Sequence, residues 1–145
     1  MKKYLVIGNP IEHSLSPKLH NYWLKENNID AIYDKKRIDE NELNSIITEI
    51  KQEKINGINV TVPYKKAIIP FLDQLSPEAK HTQSVNTIYL QNGIAIGHNT
   101  DIAGFELAIK YAKYDISNKK VFILGAGGVA PSIIYSLKKM KASKI

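Results

Sequence analysis

Short apolar runs alternate with amphipathic stretches along the first hundred residues, and this alternation constrains the fold more than any other feature. Residues 4–7, 31–38 and 57–62 have the apolar, β-branched composition of buried strands. Each run ends at turn-forming or helix-starting residues. Strands that alternate with helices favour an α/β fold, and we predict an open, mostly parallel sheet with helices on its faces.

The helix starts carry recognisable capping signals. Ser16 followed by Pro17 predicts a helix with Ser16 as the N-cap, and its apolar face would hold Leu19, Tyr22 and Trp23. Asp39 with Glu42 three residues later fits a capping box. An apolar stripe at helical spacing follows, formed by Leu43, Ile46, Ile47 and Ile50. Ser76-Pro77 predicts a further short helix.

Asn92-Gly93 lies between two β-rich runs, residues 85–90 and 94–98. This dipeptide is the strongest short signal for a hairpin, because both of its residues adopt positive φ readily. We therefore expect the sheet to end in an antiparallel pair. A new helix is predicted to begin at Asp101, with Phe105, Ala108, Ile109 and Ala112 on one face.

A second unit follows, and its pattern predicts the first strand, turn and helix of a Rossmann domain. The apolar run 121–124 leads into a glycine turn, and a helix is predicted for residues 131–141. Gly125, Gly127 and Ala130 fit the G-x-G-x-x-A pattern, which places backbone amides at a helix N-terminus where they can bind a pyrophosphate. The residues of this candidate cofactor site are Gly125, Ala126, Gly127, Gly128, Val129 and Ala130.

A plain strand-to-helix turn is the alternative interpretation of this glycine turn. We assign residues 1–101 to one domain and residues 102–145 to a connecting helix plus an incomplete dinucleotide-binding domain. One βα unit does not complete such a domain, so we expect the chain to be the front part of a longer protein.

Composition and charge exclude several classes of protein. Of the 145 residues 43% are hydrophobic and 23% charged, which is ordinary for a folded domain, and no cysteine is present. A chain without cysteine forms no disulfide and no thiolate metal site, which fits a reducing cytoplasm. We expect no metal site. No apolar run is long enough for a membrane span.

The net charge of +6 would by itself suggest nucleic-acid binding. Six lysines and no acidic residue lie in residues 119–145, so residues 1–118 are neutral. Four of these lysines lie toward the end of a predicted helix, where cations complement the helix dipole. We therefore expect no nucleic-acid partner. We also expect no membrane partner, and a monomer or homodimer.

Four polar islands interrupt the apolar pattern: Ser14 to Pro17, Asn59 to Lys65, Val85 to Thr87, and Asn99 to Asp101. Each island alone has an ordinary structural explanation, such as a helix cap or a solvated lysine. Several of them lie at predicted strand ends, where open α/β sheets bind ligands. Taken together they indicate one binding site.

These four islands and the glycine turn, in this order and spacing, resemble the shikimate dehydrogenase family over the whole chain. The resemblance implies a substrate domain followed by a Rossmann domain that binds NADP. It implies reversible reduction of 3-dehydroshikimate to shikimate, a step of aromatic amino-acid biosynthesis. By the same resemblance Ser14 and Ser16 bind the substrate carboxylate. The residues implied to contact ring hydroxyls are Asn59, Thr61, Asn86 and Asp101.

Lys65 and Asp101 match the catalytic pair of that family. The chemistry agrees, because reduction of a ketone leaves an alkoxide, and an ammonium group can supply both a proton and a positive charge to it. Two alternatives stay open: a quinate/shikimate dehydrogenase and a noncatalytic shikimate-binding module. Two departures from the family pattern are Ile102, which follows Asp101 where glycine is common, and Pro131 in the cofactor helix.

Overall fold

The computed structural model describes residues 1–145, which form one mixed six-stranded sheet and five helices. The strands are β1 (Lys2–Gly8), β2 (Ala31–Arg37), β3 (Gly57–Val60), β4 (Gln74–Leu75), β5 (Thr87–Gln91) and β6 (Ile94–His98). Their order across the sheet is β2-β1-β3-β5-β6-β4. None of the five helices combines the length and apolar character needed to cross a membrane.

Five of the six strands run in the same direction, and only β5 opposes its neighbours β3 and β6. The mostly parallel sheet and the hairpin are thus confirmed. Asn92 and Gly93 have φ values of 51° and 77°, as the predicted hairpin turn requires. The expected position of the hairpin at the end of the sheet is wrong, because β4 pairs with β6 beyond it. Strand β4 has only two residues, which are too few to show the alternation that predicts a strand.

The helices are α1 (Ser16–Glu26), α2 (Leu43–Lys51), α3 (Pro77–Thr82), α4 (Asp101–Tyr111) and α5 (Ala130–Lys139). Helix α2 covers one face of the sheet and buries its predicted stripe in the main core. A short 3-10 turn precedes α2, and there the Glu42 carboxylate accepts a hydrogen bond from the Asp39 amide at 2.7 Å. The Ser76 hydroxyl caps α3 by accepting from the Ala79 amide at 3.2 Å.

Helix α1 lies on the opposite face and differs from the prediction in two ways. Ser16 is its first residue rather than its N-cap, and no side chain caps this helix. The predicted apolar face is not buried, since Leu19, Tyr22 and Trp23 are each about half exposed. Asn21 attaches the helix, because its side-chain amide bonds both the N–H and the C=O of Tyr33 in β2. The apolar contact comes from Leu24, which packs against the cluster of Val6, Ile11 and Tyr33.

The segment after residue 101 packs mainly upon itself. Helices α4 and α5 contact each other, and the buried residue of α4 is Ile102 rather than any member of the predicted apolar face. The predicted strand over residues 121–124 is not formed. Only a single parallel bridge joins Lys120 to Lys144, and Leu124 is fully exposed. A strand needs a ladder of backbone hydrogen bonds, and one bridge does not provide it.

Candidate active site

Three of the four polar islands meet at one edge of the sheet, where β3 ends and β5 begins. Because β5 is antiparallel to β3, the start of β5 lies beside the end of β3, and Thr87 pairs with Asn59. Thr87 in turn is opposite His98, the last residue of β6, so the segment leading into α4 starts at the same edge. The predicted convergence of these islands at strand ends is therefore found for Asn59, Asn86 and Asp101.

Lys65 and Asp101 form an ion pair at this edge. The Lys65 Nζ atom lies 2.7 Å from Asp101 Oδ2, and the two side chains are only 13% and 20% exposed. Asp101 begins α4, so its carboxylate also lies at the positive end of that helix dipole. One N–H of the ammonium is used by Asp101, which leaves donors available for a ligand oxygen. The hydrogen bond to Asp101 thus fixes the direction of the Lys65 ammonium at a position that is partly shielded from water.

Asn86 holds the other oxygen of Asp101. Its side-chain amide donates to Asp101 Oδ1 at 3.0 Å and to Thr100 Oγ1 at 2.8 Å, while its own oxygen accepts from the Thr100 amide at 2.9 Å. Asn59 extends the network on the other side, donating to Thr87 Oγ1 at 3.0 Å. Four polar residues from three islands, Asn59, Lys65, Asn86 and Asp101, thus share one continuous set of hydrogen bonds.

Tyr33 joins this network although nothing in the sequence pattern of β2 predicts it. Its hydroxyl donates to Asn59 Oδ1 at 2.6 Å, and burial raises the pKa of the phenol well above its ordinary value. His20 stacks on the Tyr33 ring with the centroids 4.1 Å apart, and burial lowers the pKa of this imidazole. A groove of about 390 Å³ between α1 and the sheet is lined in part by His20, Tyr33 and Asn59.

Ser14, Ser16 and Thr61 make no hydrogen bond to this network. Ser14 and Ser16 form a compact turn in which Ser14 Oγ accepts from the Ser16 amide at 3.3 Å. Thr61 directly follows β3 and packs over Gly8 at the end of β1. A Cβ at Gly8 would lie 2.7 Å from Thr61 Cγ2 and 2.9 Å from the Val62 carbonyl oxygen, so only glycine fits beneath Thr61.

The glycine turn lies beside Lys65. A Cβ built on Gly128 would be 3.6 Å from Lys65 Cδ, so the lysine stem leaves room for little more than a glycine at this position. Gly125 has φ +117°, a conformation that favours glycine. The amides of residues 126–129 donate no hydrogen bond within the chain and precede α5. Free amides at a helix N-terminus suit a phosphate group, so these residues fit a dinucleotide.

Comparison with known proteins decides the family. The sequence profile described as "Shikimate dehydrogenase substrate binding domain" matches residues 6–88, more than half of the chain. The chain belongs to the shikimate dehydrogenase family. It is 57% identical to a shikimate dehydrogenase (NADP(+)) of Pelagibacter ubique, over 99% of this chain and 54% of that relative.

Solved structures of the family agree with this fold. The crystal structure of shikimate dehydrogenase 1 from Peptoclostridium difficile superposes with a TM-score of 0.94 at 35% identity, covering 99% of this chain and 53% of that one. Shikimate 5-dehydrogenase from Thermus thermophilus in complex with NADP(H) and shikimate gives 0.91 at 30% identity, over 99% and 54%. The chain thus spans about half the length of these relatives.

The two departures from the shikimate dehydrogenase pattern, Ile102 and Pro131, both lie in the first turn of a helix. Ile102 is 3% exposed at the start of α4, and its carbonyl accepts from Ser136 Oγ of α5 at 3.4 Å. It therefore fills a packed position at the place where glycine is common in the family. Pro131 lies in the first turn of α5, where its missing N–H breaks no helical hydrogen bond.

Proposed function

We propose that this chain provides the substrate site and the first part of the cofactor site of an enzyme that reversibly reduces 3-dehydroshikimate to shikimate with NADP(H). The observation that carries the proposal is the Lys65–Asp101 pair, held by Asn86 at the sheet edge with the glycine turn beside the lysine stem. A proton donor, its orienting carboxylate and a phosphate-binding turn are the parts that a ketone reduction requires.

Each polar residue has a role in this proposal. Ser14 and Ser16 bind the carboxylate of the substrate through their hydroxyls, and Thr61 binds a ring hydroxyl. Asn86 exchanges its bond to the exposed Thr100 for a substrate hydroxyl, since both of its amide hydrogens are already donated within the chain.

Asn59 also donates both of its amide hydrogens internally, to the Asn86 carbonyl and Thr87 Oγ1. Its contact with the substrate therefore uses its oxygen, which accepts from Tyr33 and has a second lone pair. The Tyr33 hydroxyl fixes the direction of that oxygen. We include Tyr33 in the site for this reason.

The reacting groups are the Lys65 ammonium and the carbonyl of the substrate. A nicotinamide cofactor, when bound, would supply a hydride for the carbonyl carbon. Lys65 stabilises the developing charge on the carbonyl oxygen and gives that oxygen a proton, and Asp101 keeps the ammonium aimed at it. In the reverse direction the lysine accepts the proton. Residues 125–130 would hold the phosphates of the cofactor, chiefly through the free amides of residues 126–129.

We further propose that residues 1–101 are the substrate domain, that residues 102–145 begin the cofactor domain, and that the active enzyme has the length of its relatives. The test is the absorbance of reduced nicotinamide during oxidation of shikimate and, separately, of quinate by the full-length enzyme. Turnover of shikimate with NADP supports the proposal. Absence of turnover with either substrate contradicts it, and a preference for quinate would reassign the substrate. The 145-residue chain alone is expected to show no turnover.

A further inference from the structure

The buried polar side chains of this protein, other than tyrosines, all lie in one place. They are Thr82, Ser84, Asn99, Ser132 and Ser136, each at most 6% exposed. We call this group the polar seam, because it fills the boundary between the sheet and α5. Buried hydroxyls and amides are costly unless they are hydrogen-bonded, and each member of the seam has a partner.

Asn99 links the two sides of the seam. Its side-chain oxygen accepts from the backbone amides of Asp101 and Ile102 at 2.9 and 3.3 Å, so it caps the first turn of α4. Its nitrogen donates to Ser132 Oγ of α5 at 2.8 Å and to the Ser84 carbonyl at 2.9 Å. One side chain therefore bonds both the backbone of the catalytic carboxylate and the helix that follows the glycine turn.

Ser84 holds the glycine turn itself. Its hydroxyl donates to the Gly128 carbonyl oxygen at 2.9 Å. Because a peptide unit is planar and trans, a carbonyl that points to Ser84 directs the next amide, that of Val129, to the opposite side. That amide has no partner within the chain. Ser84 thus orients one of the free donors of the proposed phosphate site.

We propose that Asn99 and Ser84 are positioning residues, which fix the position of the glycine turn relative to the Lys65–Asp101 pair. The inference rests on the proposed function and assigns a task to residues that touch neither reacting atom. Hydride transfer depends steeply on the separation and alignment of its donor and acceptor, and a displacement of about 1 Å can cost roughly 10²-fold in rate. Loosening the seam should therefore slow the chemical step more than it weakens binding of either ligand.

The experiment uses Ser84→Ala, Ser132→Ala and their double variant in the full-length enzyme. Each change removes one hydroxyl that ties α5 or its turn to the sheet, and each leaves Asn99 in place. Thr48→Val is the control. Thr48 also carries a hydroxyl that is hydrogen-bonded within the chain, to the Asn44 carbonyl at 3.0 Å, but it lies on α2 outside the polar seam.

We expect the double variant to lose kcat by about tenfold or more, while its Kd values for shikimate and NADP stay within about threefold of wild type. The isotope effect on kcat for shikimate oxidation, measured with shikimate deuterated at the carbon that loses its hydride, should rise, because hydride transfer then limits turnover. Thermal unfolding checks that each variant is folded. Thr48→Val should keep kcat.

Three results would overturn the positioning role: unchanged kcat in the double variant, a loss of activity explained by weaker Kd values alone, or an equal loss in Thr48→Val. An inactive wild-type enzyme would instead refute the proposed function. The two failures are therefore distinguishable.

Discussion

Replacement of Lys65 by alanine should remove the proton donor and most of the catalysis. General acid-base catalysis contributes about 10²–10⁴-fold, which corresponds to about 3–5 kcal/mol of activation free energy. The structure supports a loss in kcat rather than in KM, because the ammonium is held by Asp101 while its other N–H groups stay free for the reacting oxygen. Folding should suffer less, by about 1–2 kcal/mol, since Asp101 keeps Asn86 and some access to water.

The assay is steady-state oxidation of shikimate by the full-length enzyme, with three variants compared. Lys65→Arg keeps the positive charge but is effectively never deprotonated, so it should not restore proton transfer. Lys66→Ala removes the neighbouring exposed lysine and should leave kcat unchanged. Near wild-type kcat in Lys65→Arg would refute acid-base catalysis and leave only an electrostatic role. Near wild-type kcat in Lys65→Ala would refute the catalytic assignment altogether.

Three further predictions concern stability, pH and partners. Gly8→Ala should lower the free energy of unfolding by about 1–3 kcal/mol, measured by urea denaturation, because its Cβ would meet Thr61 and the Val62 carbonyl. Gly104→Ala on α4, where a Cβ meets nothing within 4 Å, is the control and should raise it by up to about 1 kcal/mol. Burial lowers the pKa of His20 below its ordinary 6.5, so the unfolded chain binds that proton first, and stability should be full above pH 6.5 and fall as the pH drops below it. His20→Phe should remove this part of the pH dependence, and an unchanged profile of urea midpoints would contradict it. Duplex DNA should not bind at about 150 mM salt in fluorescence anisotropy, and micromolar affinity there would refute the neutral interpretation of the charge pattern.

Local signals in the sequence predict much of this fold, because capping, turn chemistry and periodicity depend on neighbours in the chain. The Asp39–Glu42 capping box and the Asn92-Gly93 turn are both found as expected. The alternation of strands and helices likewise predicts the direction of most strands. The motifs also indicate the Lys65–Asp101 pair, although the two residues are joined only by the folded sheet.

What sequence patterns miss depends on contacts between distant segments. The edge strand β4 is too short to have a pattern, and residues 121–124 have the composition of a strand but only one bridge beside them. Tyr33 reaches Asn59 across 26 residues of sequence, and Asn99 reaches Ser132 across 33. An isolated tyrosine or asparagine in the sequence does not reveal such partners.

The crystal structure of this chain in complex with shikimate tests the central claim most directly, because it locates the ligand relative to every proposed contact. We predict that the carboxylate of shikimate binds the hydroxyls of Ser14 and Ser16, and that one ring hydroxyl lies about 3 Å from Lys65 Nζ. Shikimate bound in the reverse orientation, with its carboxylate on Lys65, would contradict the account. So would shikimate confined to the groove between α1 and the sheet, with no contact to Lys65.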